Sequence, residues 1–333
     1  MSDPVTLDQV AKAAGVSRTT ASRVINGGTA SQRSIQAVNR AIDQLGFVPN
    51  RAARTLARQR TDQIAIITPE SPELIFLDPF IAVITATVSR RLWQAGLQPL
   101  LALSDPDDPV CTTKHFLHHS NVDGIIVAQF HRDDHLEALL QELDLPMVFI
   151  GRPPDSVPAP YADADNIHGG HAAAKHLLDQ GRRHIACLSG ALNRSSAVDR
   201  KVGFLRAHEE AGVEPGPCVE LDFHSGAPAI AVARLLEQSP QIDAIFAQSD
   251  FLASGALQAL AVAGRSVPDD VAVVGYDDSV TATQVVPNLT TVAQPVAQLG
   301  AAAAELMVER LRTGGWGPWP RVFPTELVIR QSA

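Results

Sequence analysis

The sequence has few cysteines and no long apolar run. Its 333 residues include 3 cysteines, Cys111, Cys187 and Cys218, at distant positions. This predicts core thiols rather than a disulfide framework or a Cys-x-x-Cys metal site. No apolar run approaches the roughly 18 to 20 residues that a membrane helix needs, and the N-terminus lacks a basic region followed by an apolar core. We therefore expect a cytoplasmic protein.

The motifs of several enzyme classes are also missing. The sequence has no Gly-Lys-Ser/Thr phosphate loop, no Gly-x-Gly-x-x-Gly after a strand, and no second histidine beyond His208-Glu209-Glu210 to make a zinc protease motif. His131 and His135 could share a helix face as metal ligands, but spacing fixes no third ligand. We expect no enzyme activity, no cofactor and no metal.

Two pairs of aspartates resemble glycosidase carboxylates at first sight. Asp163 lies near Asp165, and Asp277 is followed by Asp278. Adjacent residues where a strand turns into a loop usually point apart, which argues against a catalytic pair. Glycoside processing by Asp163 and Asp277 stays open as an alternative, which turnover of a chromogenic glycoside would reveal.

The formal net charge of −9 hides a split along the chain. Residues 1–60 hold nine basic side chains against three aspartates, whereas the remaining residues hold 18 basic and 33 acidic side chains. A compact positive segment suits the surface of a polyanion, and the acidic remainder would be repelled by one. The two segments are therefore predicted to have different partners.

Residues 6–25 carry two short helical patterns separated by a glycine. Apolar side chains recur at helical spacing from Leu7 to Ala14, and Gly15 can end a helix through positive φ. Ser17 can cap a second helix whose apolar face contains Ala21 and Val24. Two helices joined by a tight turn predict a helix-turn-helix.

A third amphipathic pattern runs from Ser31, a candidate N-cap, to Gly46. The three predicted helices can close a small all-α core. Its expected members are Leu7, Val10, Val24, Val38 and Leu45.

From residue 63 onward, short apolar runs alternate with longer amphipathic segments such as Phe80 to Ala95. Continuous apolar strands separated by helices predict parallel sheets covered on both faces, here in two doubly wound α/β lobes. Such lobes bind small molecules between the carboxyl ends of their strands. The predicted strands are residues 64–67, 100–103, 124–127, 147–150, 184–188, 244–247 and 271–274.

The head carries a long set of specific motifs: Val5-Thr6-Leu7, Val10-Ala11, Ala14-Gly15-Val16-Ser17, residues 20–26 (TASRVIN) and Gly46-Phe47-Val48-Pro49-Asn50. With these motifs it resembles the lactose and galactose repressor (LacI/GalR) family. The resemblance implies that the second helix enters the DNA major groove, with Arg18 and Thr19 at base-reading positions and Arg23 at bases or phosphate. Arginine can donate two hydrogen bonds to guanine, so we expect a guanine contact from Arg18. Ser17, Thr20 and Asn26 suit phosphate contacts.

Residues 49–57 (PNRAARTLA) resemble the hinge helix of the same family, in which small residues let two copies pack together. The resemblance adds Asn50, Ala53, Arg54 and Leu56 to the DNA-binding set. Leu56 would be inserted between base steps in the minor groove and kink the DNA. The alternative for Leu56 is an ordinary buried leucine. So short a helix should order only on DNA and in a dimer.

The remaining sequence resembles the same family and the periplasmic sugar-binding proteins. Motifs such as residues 121–124 (NVDG), 200–204 (RKVGF) and 274–278 (VGYDD) carry this similarity. It implies a small-molecule effector in the cleft, with Arg200 donating to ligand hydroxyls and Asp277 accepting from them. The other candidate effector contacts are Phe80, Phe130, Ser196, Phe223, Ser249, Asp250, Tyr276 and Gln294, although core packing is an alternative for each aromatic residue.

These features predict a transcriptional regulator that binds a palindromic operator as a homodimer. The expected boundaries are a head at residues 1–48, a hinge at 49–61 and a periplasmic-binding-protein-like body at 62–333. The lobes are expected at approximately 62–160 and 161–290, with crossovers near 290–333. The preferred function is a repressor released by a sugar, in the branch that responds to cellobiose. The alternatives are a purine-type corepressor and a sugar-binding protein without regulatory DNA binding.

Overall fold

The computed structural model describes residues 5–25, 28–47, 60–68, 78–103, 108–119, 122–132, 134–221 and 228–333. The contacts divide the chain into two units, Met1–Thr61, which contains the head and the hinge, and Asp62–Ala333, which is the body. In these described ranges, no helix combines the length and the apolar composition that crossing a membrane would require.

The described residues of the head form three helices, as the apolar spacing predicts: α1 Leu7–Ala14, α2 Arg18–Ile25 and α3 Gln32–Leu45. The side chains of Thr6 and Gln9 form a capping box at the start of α1, and Gly15 ends this helix at φ 66°. Ser31 accepts a hydrogen bond from the Ser34 amide at the start of α3. The hydrogen bonds and the positive φ at these helix ends are the capping features from which the boundaries were predicted.

The core of the head is made mainly of small side chains. Val10, Ala11, Ala21, Val38 and Ala41 are buried, with Leu7 and Val24 packed against them. The prediction that Leu45 joins this core is wrong, because its side chain is 37% exposed. Leu45 is the last residue of α3, and Ala41 provides the inward contact one turn earlier.

In the part of the body that the structure describes, the strands form two six-stranded sheets. The first has the order β11-β5-β4-β3-β1-β2, and all its pairings are parallel. Its strands are β1 Gln63–Ile67, β2 Gln98–Ala102, β3 Gly124–Ala128, β4 Met147–Ile150, β5 Tyr161–Ala164 and β11 Arg321–Phe323. The accompanying helices are α4 Pro79–Gln94, α5 Pro109–His119, α6 Asp134–Glu142 and α12 Val296–Thr313.

The second sheet has the order β12-β10-β9-β8-β6-β7, parallel except for the antiparallel edge strand β12. Its strands are β6 Ile185–Ser189, β7 Cys218–Glu220, β8 Ala244–Ala247, β9 Ala272–Asp277, β10 Thr290–Ala293 and β12 Glu326–Val328. Its helices are α7 Asn166–Asp179, α8 Ser195–Ala211, α9 Pro228–Gln238, α10 Asp250–Val262 and α11 Val280–Gln284.

Each sheet is buried on both faces, which explains the continuous apolar runs. One face of the first sheet packs with Ile84 of α4 and Met307 of α12, and the other packs with Leu117 of α5 and Leu139 of α6. The second sheet is likewise covered by α7 and α8 on one face and by α9 and α10 on the other. The predicted doubly wound lobes are confirmed.

The chain passes between the lobes three times. It leaves the first sheet after Ala164, returns between β10 and α12, and crosses again between β11 and β12. The lobe boundary that is expected near residue 160 falls after Ala164 in the structure, because β5 pairs with β4 in the first sheet. One crossing lies near Asp165, and the other two lie within residues 290–333.

The cysteines do not share one environment. Cys187 is buried, as predicted for a core thiol, but Cys111 and Cys218 are exposed. The prediction is wrong for these two because α5 presents Cys111 to solvent and Cys218 lies on the edge strand β7.

Candidate functional site

One face of α2 presents polar side chains to solvent. Arg18, Thr19 and Arg23 are exposed, and buried Ala21 fixes the opposite face of the helix against the core. The Ser17 hydroxyl accepts a hydrogen bond from the Thr20 amide at 3.1 Å, and the two hydroxyls lie 2.8 Å apart. Ser17 and Thr20 thus hold the start of α2 beside the exposed Arg18.

The guanidinium of Arg18 is loosely held. Its Nε lies 3.5 Å from Oδ1 of Asp8, and the two side chains are 70% and 65% exposed. Such an exposed ion pair contributes little to stability, so Arg18 can exchange Asp8 for another acceptor at small cost.

Six predicted site residues lie outside the described residues. They are the predicted DNA contacts Asn26, Asn50, Ala53, Arg54 and Leu56 and the predicted effector contact Phe223.

A cleft of about 850 Å³ lies between the carboxyl ends of the strands of the two lobes. Both lobes contribute to its wall, as expected for an α/β ligand site. Seven predicted effector contacts line it: Phe80, Phe130, Ser196, Arg200, Ser249, Asp277 and Gln294. Ser249 also caps α10, because its hydroxyl accepts from the Leu252 amide at 3.1 Å.

Four contacts fix the side chain of Arg200, which lies on α8. Its Nε donates to Oδ1 of Asn166 at 2.9 Å, and its Nη1 donates to the carbonyl oxygen of Gln248 at 2.5 Å. Nη1 also lies 3.7 Å from Oδ1 of Asp277, and the guanidinium lies 3.7 Å from the centre of the Tyr276 ring. A guanidinium has five N–H donors, so this arrangement fixes its plane and still leaves donors for a ligand.

Asp277 is the acceptor beside this donor. It ends β9 at φ 111°, and its Oδ1 accepts from Nε2 of Gln294 at 2.6 Å. Burial raises the pKa of this carboxyl above its usual range, although Arg200 opposes the rise. Arg200 and Asp277 therefore present a donor and an acceptor side by side on the cleft wall.

Two predicted effector contacts lie behind the wall instead of on it. Tyr276 is fully buried under Arg200, and its hydroxyl lies 3.3 Å from Oδ1 of Asn166. Asp250 is also fully buried; it accepts from the Ser279 amide at 2.7 Å and the Thr291 hydroxyl at 2.6 Å. Both residues hold wall residues in place, Tyr276 by contact with Arg200 and Asp250 through the loop that follows Asp277.

The cleft also contains polar residues outside the predicted set. Asp163 of β5 accepts from the Arg152 amide at 3.0 Å and from Nδ2 of Asn166 at 3.1 Å. Burial raises its pKa to about 6, despite amide hydrogen bonds that lower it. Asp78 accepts from Nε2 of Gln129 at 2.9 Å. Gln129 and Arg152 are the first polar residues after β3 and β4. This position after a predicted strand is the sequence feature that indicates a cleft residue.

A short segment before and within α8 joins the two lobes at one side of the cleft. Nη2 of Arg152 donates to both carboxylate oxygens of Asp199, at 2.7 and 2.9 Å. The Ser195 hydroxyl donates to the Arg152 carbonyl at 2.7 Å, and the Arg132 amide donates to the Asn193 carbonyl at 2.9 Å. The strand ends of the first lobe are thereby fixed against the second lobe.

The arginines of the cleft already have partners within the protein. Arg152 pairs with Asp199, Arg200 lies beside Asp277, and Nη1 of Arg194 donates to Oε1 of Gln129 at 3.2 Å. Asp78 and Asp163 add further acidic groups to the wall. This balance suits a neutral ligand with many hydroxyls better than an anion, and the rings of Phe80 and Phe130 provide apolar surface beside it.

Comparisons with known proteins agree with this division into head and cleft. The family model described as bacterial regulatory proteins, lacI family, matches residues 6–50, and that of a periplasmic binding protein-like domain matches residues 174–333. The chain is 40% identical to the HTH-type transcriptional regulator CelR of Thermobifida fusca over 333 residues, covering 98% of each protein.

Two solved structures are similar along nearly the whole chain. A CelR–cellobiose complex aligns with a TM-score of 0.78 and 38% identity, covering 99% of this chain and 100% of that one. A lac repressor dimer bound to operator and the anti-inducer ONPF aligns with a TM-score of 0.85 and 27% identity, covering 99% of both chains.

Proposed function

The chain belongs to the LacI family of bacterial regulatory proteins, and on that premise we propose that it represses carbohydrate-utilisation genes and leaves its operator when a sugar fills the cleft. As a member of this family it is a DNA-binding transcriptional regulator and not an enzyme. The effector that we propose is a neutral glucoside such as cellobiose.

The observation that carries the effector class is the paired donor and acceptor of Arg200 and Asp277 in a cleft whose arginines have internal partners. Each sugar hydroxyl both donates and accepts, so it can bridge such a pair. A phosphate or a carboxylate would instead compete with Asp277 for Arg200. The proposed effector contacts are Phe80, Phe130, Ser196, Arg200, Ser249, Asp277 and Gln294.

The size of the cleft supports a disaccharide. Pockets for small molecules commonly have volumes of about 300 to 1,000 Å³, and this cleft, at about 850 Å³, lies in the upper part of that range. The solved structure of the CelR–cellobiose complex, a relative of this chain, contains a disaccharide and supports the same size of ligand.

On the DNA side, α2 is the proposed recognition helix. Arg18 reads a guanine in the major groove, Thr19 and Arg23 contact neighbouring groups, and Ser17, Thr20 and Asn26 contact phosphate. The hinge residues Asn50, Ala53, Arg54 and Leu56 contact the minor groove, with Leu56 between base steps. A homodimer places two such heads on a palindromic operator on the bacterial nucleoid, in the cytoplasm.

Release follows from linkage between the two sites. A sugar that prefers the lobe arrangement incompatible with the DNA-bound hinges lowers operator affinity, and operator lowers sugar affinity by the same factor. The usual coupling of about 1 to 3 kcal/mol corresponds to roughly 5- to 150-fold.

The test is a thermal-shift screen of the purified protein against cellobiose, other mono- and disaccharides, sugar phosphates and purines. A ligand at 100 times its Kd adds about 2.7 kcal/mol to the stability of the fold. We expect cellobiose or a related glucoside to raise the Tm, and the same sugar to release a fluorescent operator duplex selected from random palindromes.

The other results would each favour a different function. A shift with purines alone would replace the sugar by a purine-type corepressor. A sugar shift without binding to any selected palindrome would indicate a sugar-binding protein without regulatory DNA binding.

A further inference from the structure

Two cysteines of the second lobe lie side by side on neighbouring strands. Cys187, in the centre of β6, is the register partner of Cys218, the first residue of the parallel edge strand β7. Neighbouring strands lie about 4.8 Å apart, within the range of roughly 4.4 to 6.8 Å between the Cα atoms of a disulfide. In-register side chains on parallel strands point to the same face, so the two thiols face each other.

The pair joins an exposed thiol to a buried one. Cys218 is exposed, whereas Cys187 is fully buried in the cluster that contains Phe204 and Phe246. The edge strand is held closely to β6, because the Cys187 amide donates to the Pro217 carbonyl and the Leu221 amide donates to the Ser189 carbonyl, both at 2.9 Å. A reagent in solution therefore reaches Cys218 directly, while Cys187 is accessible chiefly to Cys218.

The surroundings favour the thiolate on the exposed member. A hydrogen bond from the Cys187 thiol, with Lys201 of α8 as a nearby positive charge, lowers the pKa of Cys218, while the same hydrogen bond raises that of Cys187. Glu220, two residues along β7, has a carboxylate that accepts from the Leu192 amide at 2.9 Å. An exposed low-pKa thiol beside a second thiol is the arrangement of a redox-reactive cysteine pair.

From this geometry we propose that Cys218 and Cys187 are a peroxide-reactive pair, in which Cys218 is oxidised first and Cys187 closes an intrachain disulfide between β7 and β6. The ligand class of this second site is thus a small peroxide. The proposal is independent of the effector and of the operator.

The reaction balances with a peroxide as the oxidant. The Cys218 thiolate attacks one peroxide oxygen, the O–O bond breaks, and with hydrogen peroxide the departing hydroxide takes a proton to become water. Cys218 is now a sulfenic acid. The Cys187 sulfur then attacks the Cys218 sulfur, the S–O bond breaks, and the proton of Cys187 leaves with that oxygen as a second water. Two thiols and one hydrogen peroxide give one disulfide and two waters.

The test treats the full-length protein with one equivalent of hydrogen peroxide, blocks the remaining thiols with N-ethylmaleimide and maps the tryptic peptides without reduction. Trypsin separates the two cysteines at Arg194, Lys201 and Arg206. We expect a crosslink between the Cys187 and Cys218 peptides that dithiothreitol reverses, while Cys111 carries the maleimide.

Cys111 provides the matched control, since it is exposed but lies on α5 of the other lobe. Cys111→Ser should give the same crosslink as the unaltered protein, and Cys218→Ser should give none. Cys187→Ala should leave Cys218 as a sulfenic acid that dimedone labels. Should Cys187→Ala not fold, the comparison of the unaltered protein with Cys111→Ser still decides.

Several results would overturn the proposal. One is oxidation of Cys218 to sulfinic acid in the unaltered protein without any crosslink to Cys187. Another is a crosslink between two Cys218 residues of different chains, visible on a non-reducing gel. A third is reaction of Cys111 with peroxide at the same rate as Cys218.

Discussion

The head and the body hold their principal arginines in opposite ways. Arg18 is 70% exposed, and its ion pair with Asp8 is long and open to solvent. Arg200 has a side chain that is 7% exposed and is fixed by Asn166, Gln248 and the ring of Tyr276. DNA is a large, regular polyanion that can come to an exposed side chain, whereas a small ligand must be surrounded. A few exposed residues of one short segment can therefore form a DNA-binding site, whereas the cleft has to be built from residues that follow many different strands.

The largest expected effect is that of Arg200→Ala on sugar affinity. The substitution removes the charged donor and leaves Asp277 without its neighbour, at a cost to sugar binding of about 3 kcal/mol, or about 100-fold in Kd. Isothermal titration should show this loss, while fluorescence anisotropy should show unchanged operator binding. The matched control is Arg206→Ala, an exposed arginine on the same helix. A sugar response that survives in Arg200→Ala would place the effector site elsewhere.

Arg18→Ala is the reverse experiment. Losing a bidentate guanine contact should cost about 2 kcal/mol of discrimination between the operator and a duplex with that base pair changed. Sugar affinity should stay the same. Arg40→Ala, an exposed arginine on α3, should lower the affinity for both duplexes equally or not at all. Equal discrimination in Arg18→Ala and the unaltered protein would exclude Arg18 as the base-reading residue.

The pH dependence of stability tests the burial of the charged residues in the cleft. The folded-state pKa of Asp163 is raised to about 6, so the folded protein binds this proton more tightly than the unfolded chain. The contribution of Asp163 is therefore most favourable below about pH 4 and is lost as the pH rises through about 6, by about 3 kcal/mol. Asp163→Asn removes this term, so the stability of the variant relative to the unaltered protein should increase between pH 4 and 7.

Urea titrations at several pH values measure this difference. The exposed Asp155 offers a control variant, because Asp155→Asn also removes one carboxyl but leaves the buried Asp163 in place. The assignment of the raised pKa to Asp163 would be wrong if both variants gave the same pH profile.

The smallest expected effect concerns the ion pair between the lobes. Asp199→Asn weakens the bidentate contact with the half-exposed Arg152, which should lower sugar affinity only a few-fold, about 1 kcal/mol after screening by solvent. Asp179→Asn removes an ion pair of similar length within α7, which joins no lobes. Titration calorimetry should separate the two variants, and equal sugar affinities would show that the interlobe pair does not help to close the cleft.

Helix ends and the central strands could be predicted from the sequence, because neighbouring residues determine them. Thr6, Gly15 and Ser31 mark helix ends within a few residues of sequence, and the continuous apolar runs gave the central strands of both sheets. The strands β5 and β10 lie inside their sheets but were not predicted, because Asp163 interrupts the apolar run of β5 and two threonines begin β10. The short edge strands β7, β11 and β12 have no such run either, because edge positions bury less of each side chain.

Which aspartate faces the cleft could not be predicted from neighbouring residues. Asp277 ends an apolar strand and Asp250 comes shortly after one, so their sequence contexts are alike. What separates them is the position of Thr291 and Ser279, which surround Asp250 and leave Asp277 at the wall. Those partners come from β10 and the loop after β9, so only the folded sheet reveals which aspartate faces the cleft.

The three crossings between the lobes have a consequence for how this gene can be recombined. Each lobe is assembled from separate stretches of sequence, since β11 and α12 join the first lobe more than a hundred residues after β5. No single cut yields one intact lobe, so a chimera cannot inherit half of the cleft from another regulator by exchanging one segment. The unit that contains the head and the hinge, in contrast, is contiguous and ends at Thr61. New operator preferences can therefore be acquired by one fusion at this boundary, whereas a new effector preference has to arise by substitutions inside the body.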